Sequence, residues 1–87
     1  MYSITSWAIP YGRKFVISDN KGELIGEVIA KRVTGTKGNR SIWNLRFSPS
    51  WSASKEYRPN YADVYIYKRS KIELEEAVKD LVENSKR

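Results

Sequence analysis

Cations and aromatic rings are concentrated in the middle of this chain, where their chemistry suits the binding of anions and flat ring systems. The 87-residue chain has 16 Lys and Arg against 10 Asp and Glu, a formal charge of +6. Residues 31–69 hold nine of these cations and only two acids, so that segment alone is +7. Lys and Arg neutralise phosphates, and unstacked bases lie on tyrosine rings for about 1–3 kcal/mol each. The pattern therefore predicts a surface that binds nucleic acid.

Strand alternation brings part of that charge next to tyrosine rings. Residues 41–48 and 62–68 each alternate between side chains that suit a core and side chains that suit solvent, which predicts two strands with one buried face. The other face carries Arg46 on the first strand and Tyr65 and Tyr67 on the second. We predict that nucleic acid binds this face and the loops beside it. The predicted contacts are Lys31, Arg32, Lys37, Arg40, Arg46, Lys55, Arg58, Lys68 and Arg69 for phosphates, and Trp51, Tyr57, Tyr65 and Tyr67 for stacking.

Each of these residues also has a purely structural interpretation, which stays open at this point. Cross-strand tyrosines often only stabilise a sheet, and a charged sheet face can be ordinary solvated surface. Trp51 lies in a serine-rich loop and suits a lid packed on the core as well as an exposed stacking ring. Gly35 and Gly38 match no phosphate-binding loop and indicate plain flexibility.

Catalysis is the weaker interpretation, because the chain contains no Cys and no His. Their absence excludes disulfides, thiol nucleophiles, imidazole acids or bases, and metal sites built on either residue. Glu56 and Asp63 are the acids of the basic segment, and they do not form a cluster suited to two metals. A serine activated by Lys55 would be an almost nonspecific signal. We expect no enzyme activity, no metal and no cofactor.

The elements that would position this surface form an α+β fold in one domain. Ser70 and Glu73 match a helix capping box, and the apolar residues after them recur at helical spacing. One such helix covers one face of a mostly antiparallel, four- to five-stranded meander and leaves the other face open. The predicted bounds are strands at about 2–9, 13–18, 23–33, 41–48 and 62–68, a long loop at 49–61, and a helix at about 71–84.

Turn and loop signals separate the strands. Residues 19–22 (DNKG) predict a type I turn with Asp first and Gly last. Gly26, inside the third strand, predicts a bulge or a close approach by another backbone. Residues 34–40 contain two glycines and two cations and are predicted to form a flexible connection.

Single-stranded DNA or RNA is favoured over duplex DNA as the ligand. The one predicted helix covers the sheet, so no second helix exists to enter a major groove, although a β-ribbon that reads duplex DNA stays open. The order of strands followed by one C-terminal helix is similar in outline to the single-stranded-DNA-binding transcriptional coactivators, the Whirly proteins and the DNA-binding domains of some phage integrases. That likeness concerns the fold alone and transfers no site residue.

The same face also fits a second function, that of a protein-interaction module. Tyr, Trp and Arg dominate protein–protein hot spots, and a basic surface suits an acidic partner protein. A small inhibitor, an adaptor or a homodimer are the forms this alternative takes. No apolar stretch approaches the roughly 20 residues that cross a bilayer, and no signal-peptide pattern is present. We therefore expect a cytoplasmic protein without a membrane partner.

Overall fold

The protein folds into one antiparallel sheet and one helix. The computed structural model describes residues 2–37, 40–67 and 71–87. The strands follow each other in the sheet in the order β1-β2-β3-β4-β5, which is a meander and confirms the predicted α+β fold. The elements are β1 (Ser3–Ile9), β2 (Gly12–Ser18), β3 (Leu24–Lys37), β4 (Arg40–Pro49), a short 3-10 turn (Trp51–Ala53), β5 (Asn60–Tyr67) and α1 (Lys71–Glu83).

The turn between β2 and β3 forms where it was predicted. The backbone N–H of Gly22 donates to the carbonyl of Asp19 at 3.1 Å. The Asp19 carboxylate accepts from the backbone N–H groups of Lys21 and Glu23 at 2.8 and 2.9 Å. Gly22 has a φ of 85°, in the left-handed region that favours glycine. Asp19 therefore accepts hydrogen bonds from the backbone of the turn, and Gly22 adopts a conformation that favours glycine. Both roles depend on residue type, which is why the sequence predicted the turn.

Gly26 lies where β3 passes close to β4. A β-carbon at this position would fall against the carbonyl oxygen of Ser48 and within 2.8 Å of the α-carbon of Pro49. The register between β2 and β3 also shifts beside it, between Ile17 and Ser18. Both observations confirm the bulge and close approach predicted for this glycine.

The hairpin formed by β3 and β4 is longer than predicted. The flexible connection expected at residues 34–40 is wrong for most of its length, because β3 continues to Lys37 and β4 begins at Arg40. The β3–β4 register shifts between Val33 and Thr36, and the pairing resumes with Thr36 opposite Ser41. Pairing between long strands has overridden a local turn signal.

Helix α1 packs across one face of the sheet and forms the core with it. Most of the predicted helical stripe is buried, with Ala77 partly buried, and Ile72, on the opposite side of the helix, is 74% exposed. Each fully buried aliphatic or phenyl side chain contributes about 1.5–3 kcal/mol. Trp43 and Val64 pack against this core with partial burial. The core side chains include Leu74, Val78, Leu81 and Val82 from α1, and Phe15, Ile17, Val28, Leu45, Phe47 and Ile66 from the sheet.

One end of α1 is fastened to β5 and the other to the residue just before β1. At its start, the Glu73 carboxylate accepts a hydrogen bond from the backbone N–H of Tyr67 at 3.2 Å. The predicted N-cap, Ser70, lies outside the described residues. At its end, the Tyr2 hydroxyl donates to the Glu83 carboxylate.

No helix in the described ranges is long and apolar enough to cross a membrane.

Candidate functional site

The sheet has a second face, on the side away from α1. Directly opposed residues of an antiparallel pair point to the same side of the sheet, so the strand register defines this surface. We call it the open face. Its described residues are Thr5, Trp7 and Ile9 on β1, Lys14 and Val16 on β2, Glu27, Ile29, Lys31 and Val33 on β3, Ile42, Asn44, Arg46 and Ser48 on β4, and Tyr61, Asp63, Tyr65 and Tyr67 on β5.

Strand β5 presents three tyrosines on the open face. Tyr65 and Tyr67 lie there as predicted, with 47% and 50% of their surface exposed. Tyr61 lies on the same face, is 74% exposed, and was not predicted. Its signal was present, because extending the alternation of Tyr65 backwards by four residues reaches Tyr61, but the strand was expected to begin only at residue 62.

Strand β4 places Arg46 beside one of these rings. Arg46 is exposed and lies directly opposite Tyr61, while the backbone register pairs Arg40 with Tyr67. Opposed β-carbons in a sheet are about 4.5–5.5 Å apart, which a long side chain spans easily. The Arg46 side chain can therefore reach an anion bound beside the Tyr61 ring.

A shallow depression of about 210 Å³ lies in the middle of the open face, between β3 and β4. Ile29, Lys31, Asn44 and Arg46 line it. Lys31 is directly opposite Asn44 and is exposed, as predicted for a phosphate contact. The depression is therefore lined by two cations and by an amide that can accept or donate hydrogen bonds.

Two acids interrupt the positive charge of the open face, and each has a partner. Asp63 accepts a hydrogen bond from the Asn44 side-chain amide at 2.9 Å. Glu27 forms an ion pair with Lys14 at 3.0 Å. Among the residues that the structure describes, no group of three or more acids lies close enough to hold a metal ion. The face is suited to hydrogen bonding and stacking.

The β1–β2 side of the open face carries a second aromatic–cation pair. The ammonium nitrogen of Lys14 lies 5.7 Å from the centre of the Trp7 ring, within cation–π distance. Trp7 is 44% exposed. Neither residue was predicted, because residues 2–9 show no clean alternation and residues 1–30 as a whole have no net charge.

Three predicted contacts lie away from the open face. Tyr57 is wrong as a stacking residue, because it is 7% exposed and packs edge-on against Phe47 with ring centres 6.1 Å apart. Arg32 is opposite Trp43, so it lies on the side of the sheet that packs with α1. Arg58 donates to the carbonyl of Asn84, just past the end of α1, at 3.5 Å. The basic segment is thus divided between both sides of the sheet.

Trp51 and Lys55 lie in the connection between β4 and β5, outside the strands. Trp51 is 93% exposed, so the lid interpretation is wrong and its ring is accessible. Lys55 is also exposed. For Lys37 and Arg40 the structure describes the backbone, and the register pairs them with each other. Lys68 and Arg69 lie outside the described residues.

The shifted pKa values occur on the helix side of the sheet. Burial, followed by the hydrogen bond to Glu83, raises the pKa of Tyr2 far above its usual range. The hydrogen bond from Tyr2, followed by that from Lys86, lowers the pKa of Glu83. The same contact with Glu83 raises the pKa of Lys86. The contact between Tyr2 and Glu83 fastens the end of α1 to the residue just before β1.

No known protein family, curated protein or solved structure matches the chain. The function is therefore inferred from the open face and its chemistry.

Proposed function

We propose that the protein binds single-stranded nucleic acid on the open face. The observation that supports this most strongly is the pairing of exposed Arg46 with exposed Tyr61, next to Tyr65 and Tyr67 on the same strand. Bases stack on the tyrosine rings, and the phosphates between them are neutralised by Arg46 and Lys31. Proteins that bind single strands without sequence preference combine these two interactions.

The rings favour single strands over duplexes. A base within a duplex already has both faces covered by its neighbours, so a flat tyrosine platform gains nothing from it unless the base is unstacked. Helix α1 buries Leu74, Val78 and Leu81 in the core and is therefore committed to the sheet. DNA and RNA single strands both fit the proposal, and an intracellular location is part of it.

The side of the open face formed by β3, β4 and β5 carries most of the binding. Arg46 and Lys31 are exposed there, whereas Lys14, on the other side, is already paired with Glu27. Binding a phosphate at Lys14 would compete with that ion pair. Asp63 repels nearby phosphates, so the strand is expected to place a base rather than a phosphate over it.

Titration of fluorescent single-stranded and double-stranded oligonucleotides at two salt concentrations tests the proposal. We expect single strands to bind at low salt and more tightly than duplexes of the same length. The logarithm of affinity should fall with the logarithm of salt by about 0.7 per neutralised phosphate. Absence of binding to every oligonucleotide at low salt would overturn the proposal.

Apolar residues on the open face favour a second candidate function. Val33 is 41% exposed, and Ile42, which is partly exposed, lies between Val33 and Tyr65 in the strand register. Nucleic acid does not require aliphatic contacts, whereas an acidic protein partner would bury them. If the titration shows no binding to any oligonucleotide, a protein-interaction module becomes the favoured function.

A further inference from the structure

Strand β1 is an edge of the sheet, and within the described part of the chain it pairs with β2 alone. An edge strand turns one row of backbone N–H and C=O groups toward solvent, where another strand can pair with them. The pairing of β1 with β2 runs from Ser3 opposite Ser18 to Ile9 opposite Gly12 without a register shift. The exposed edge is therefore regular along its whole length.

The usual devices that protect an edge strand are missing from β1. Proteins block edges with charged side chains, proline or bulges. The run from Tyr2 to Ile9 contains no Lys, Arg, Asp, Glu or Pro. Thr5, Trp7 and Ala8 are exposed along it. In a chain in which 30% of residues are charged, this edge carries no charged side chain of its own that would oppose pairing with another strand.

We propose that β1 pairs in antiparallel fashion with β1 of a second copy of this chain. Pairing between identical strands is symmetric, so it uses the edge of both copies and closes at a dimer. The two five-stranded sheets then join into one continuous sheet. This antiparallel interface between two β1 strands, called the seam, requires a two-fold axis perpendicular to the sheet. The open faces of both copies therefore lie on the same side.

The charge distribution favours this edge over the one formed by β5. Residues 1–30 contain three cations and three acids, whereas residues 31–69 carry the +7 excess. Strand spacing of about 4.8 Å puts β4 roughly 14 Å from β1, beyond the Debye length of about 8 Å at physiological salt. Pairing through β1 thus joins the neutral sides of two copies and keeps the basic segments apart. Pairing through β5 would bring the two basic segments together.

Sedimentation equilibrium of the full chain, followed over a concentration series, tests the seam. The wild-type protein is expected to approach twice its 10.1 kDa monomer mass as the concentration rises. In Thr5→Lys, the β1 strands of both copies carry an added cation beside the interface. The two like charges repel each other, so the dimer dissociation constant should rise several-fold. Ser48→Lys adds the same charge to the same face on a central strand and should leave the dimer intact.

Three results would overturn the proposal. The first is a wild-type protein that stays at monomer mass throughout the series. The second is a dimer unaffected by Thr5→Lys, and the third is a dimer weakened equally by Thr5→Lys and Ser48→Lys. Circular dichroism shows whether the variants are folded. If Thr5→Lys is unfolded, the mass of the wild-type protein alone tests the proposal. The proposed function does not enter this test, since no nucleic acid is present.

Discussion

Arg46 on β4 lies directly opposite Tyr61 on β5, on the face of the sheet away from α1. The tyrosine is 74% exposed, and the arginine is exposed beside it. A base stacked on this ring would have its phosphate within reach of the guanidinium group. This pair contains both interactions that the proposed function requires, and each interaction can be removed separately.

Removing the rings should weaken single-strand binding without changing its salt dependence. We expect Tyr65→Ala and Tyr67→Ala each to cost about 1–3 kcal/mol if a base stacks on that ring. Fluorescence anisotropy with a labelled oligonucleotide measures this loss. Tyr65→Phe and Tyr67→Phe keep the ring and should bind nearly as tightly as the wild-type protein. Equal affinity of the Ala and Phe variants would show that charge alone drives binding.

Removing a cation of the open face should change the salt dependence instead. Arg46→Ala and Lys31→Ala are each expected to reduce the slope of log affinity against log salt by about 0.7, because each releases one phosphate contact. Lys79→Ala removes the same charge from an exposed position on α1 and serves as the control. If Lys79→Ala lowers the slope as much as Arg46→Ala does, binding follows net charge and not this face.

The core prediction concerns the face of α1 that packs on the sheet. Leu81 is 5% exposed and Ile72 is 74% exposed. Leu81→Ala should lower the free energy of unfolding by about 2–5 kcal/mol, whereas Ile72→Ala should change it by roughly 0.5 kcal/mol or less. Urea denaturation followed by circular dichroism measures both. Comparable losses in the two variants would contradict the placement of the helix.

The contact between Tyr2 and Glu83 should make stability depend on pH. The pKa of Glu83 is lowered in the folded protein, so its contribution is present above about pH 4.3 and is lost as the pH falls through the folded value. Burial, followed by the hydrogen bond to Glu83, raises the pKa of Tyr2, so its contribution is present below about pH 10 and is lost as the pH rises further.

Tyr2→Phe removes this contact and should be less stable than the wild-type protein at neutral pH. The difference between their urea midpoints should shrink in acid and in alkali. Tyr11→Phe, in the exposed turn between β1 and β2, is the matched control. A difference between the wild-type protein and Tyr2→Phe that stays constant across pH would contradict the coupling.

Alternation predicted which side chains share a face, and its limits explain what it missed. It placed Arg46, Tyr65 and Tyr67 together correctly, because each strand has a period of two. Lys31 and Arg32 were both taken as contacts, yet adjacent residues of a strand face opposite sides. A count of charges along a segment does not show on which face of the sheet each side chain lies. The strand register supplies that information.

Other features depend on contacts that local sequence does not record. Tyr57 lies in a loop without periodicity, and its burial follows from packing on Phe47 and from a backbone bridge to Lys86. Its aromatic type suits a core and a stacking surface equally well. The edge position of β1 likewise follows from the order of all five strands.

Mapping a titration by ¹H–¹⁵N correlation spectroscopy tests the central claim most directly. A short unlabelled single strand is added to the labelled protein, and amide shift changes are placed on the structure. We predict changes at Lys31, Arg46, Tyr61, Tyr65 and Tyr67, with α1 little affected. Changes confined to α1, or none at low salt, would contradict the assignment of nucleic-acid binding to the open face.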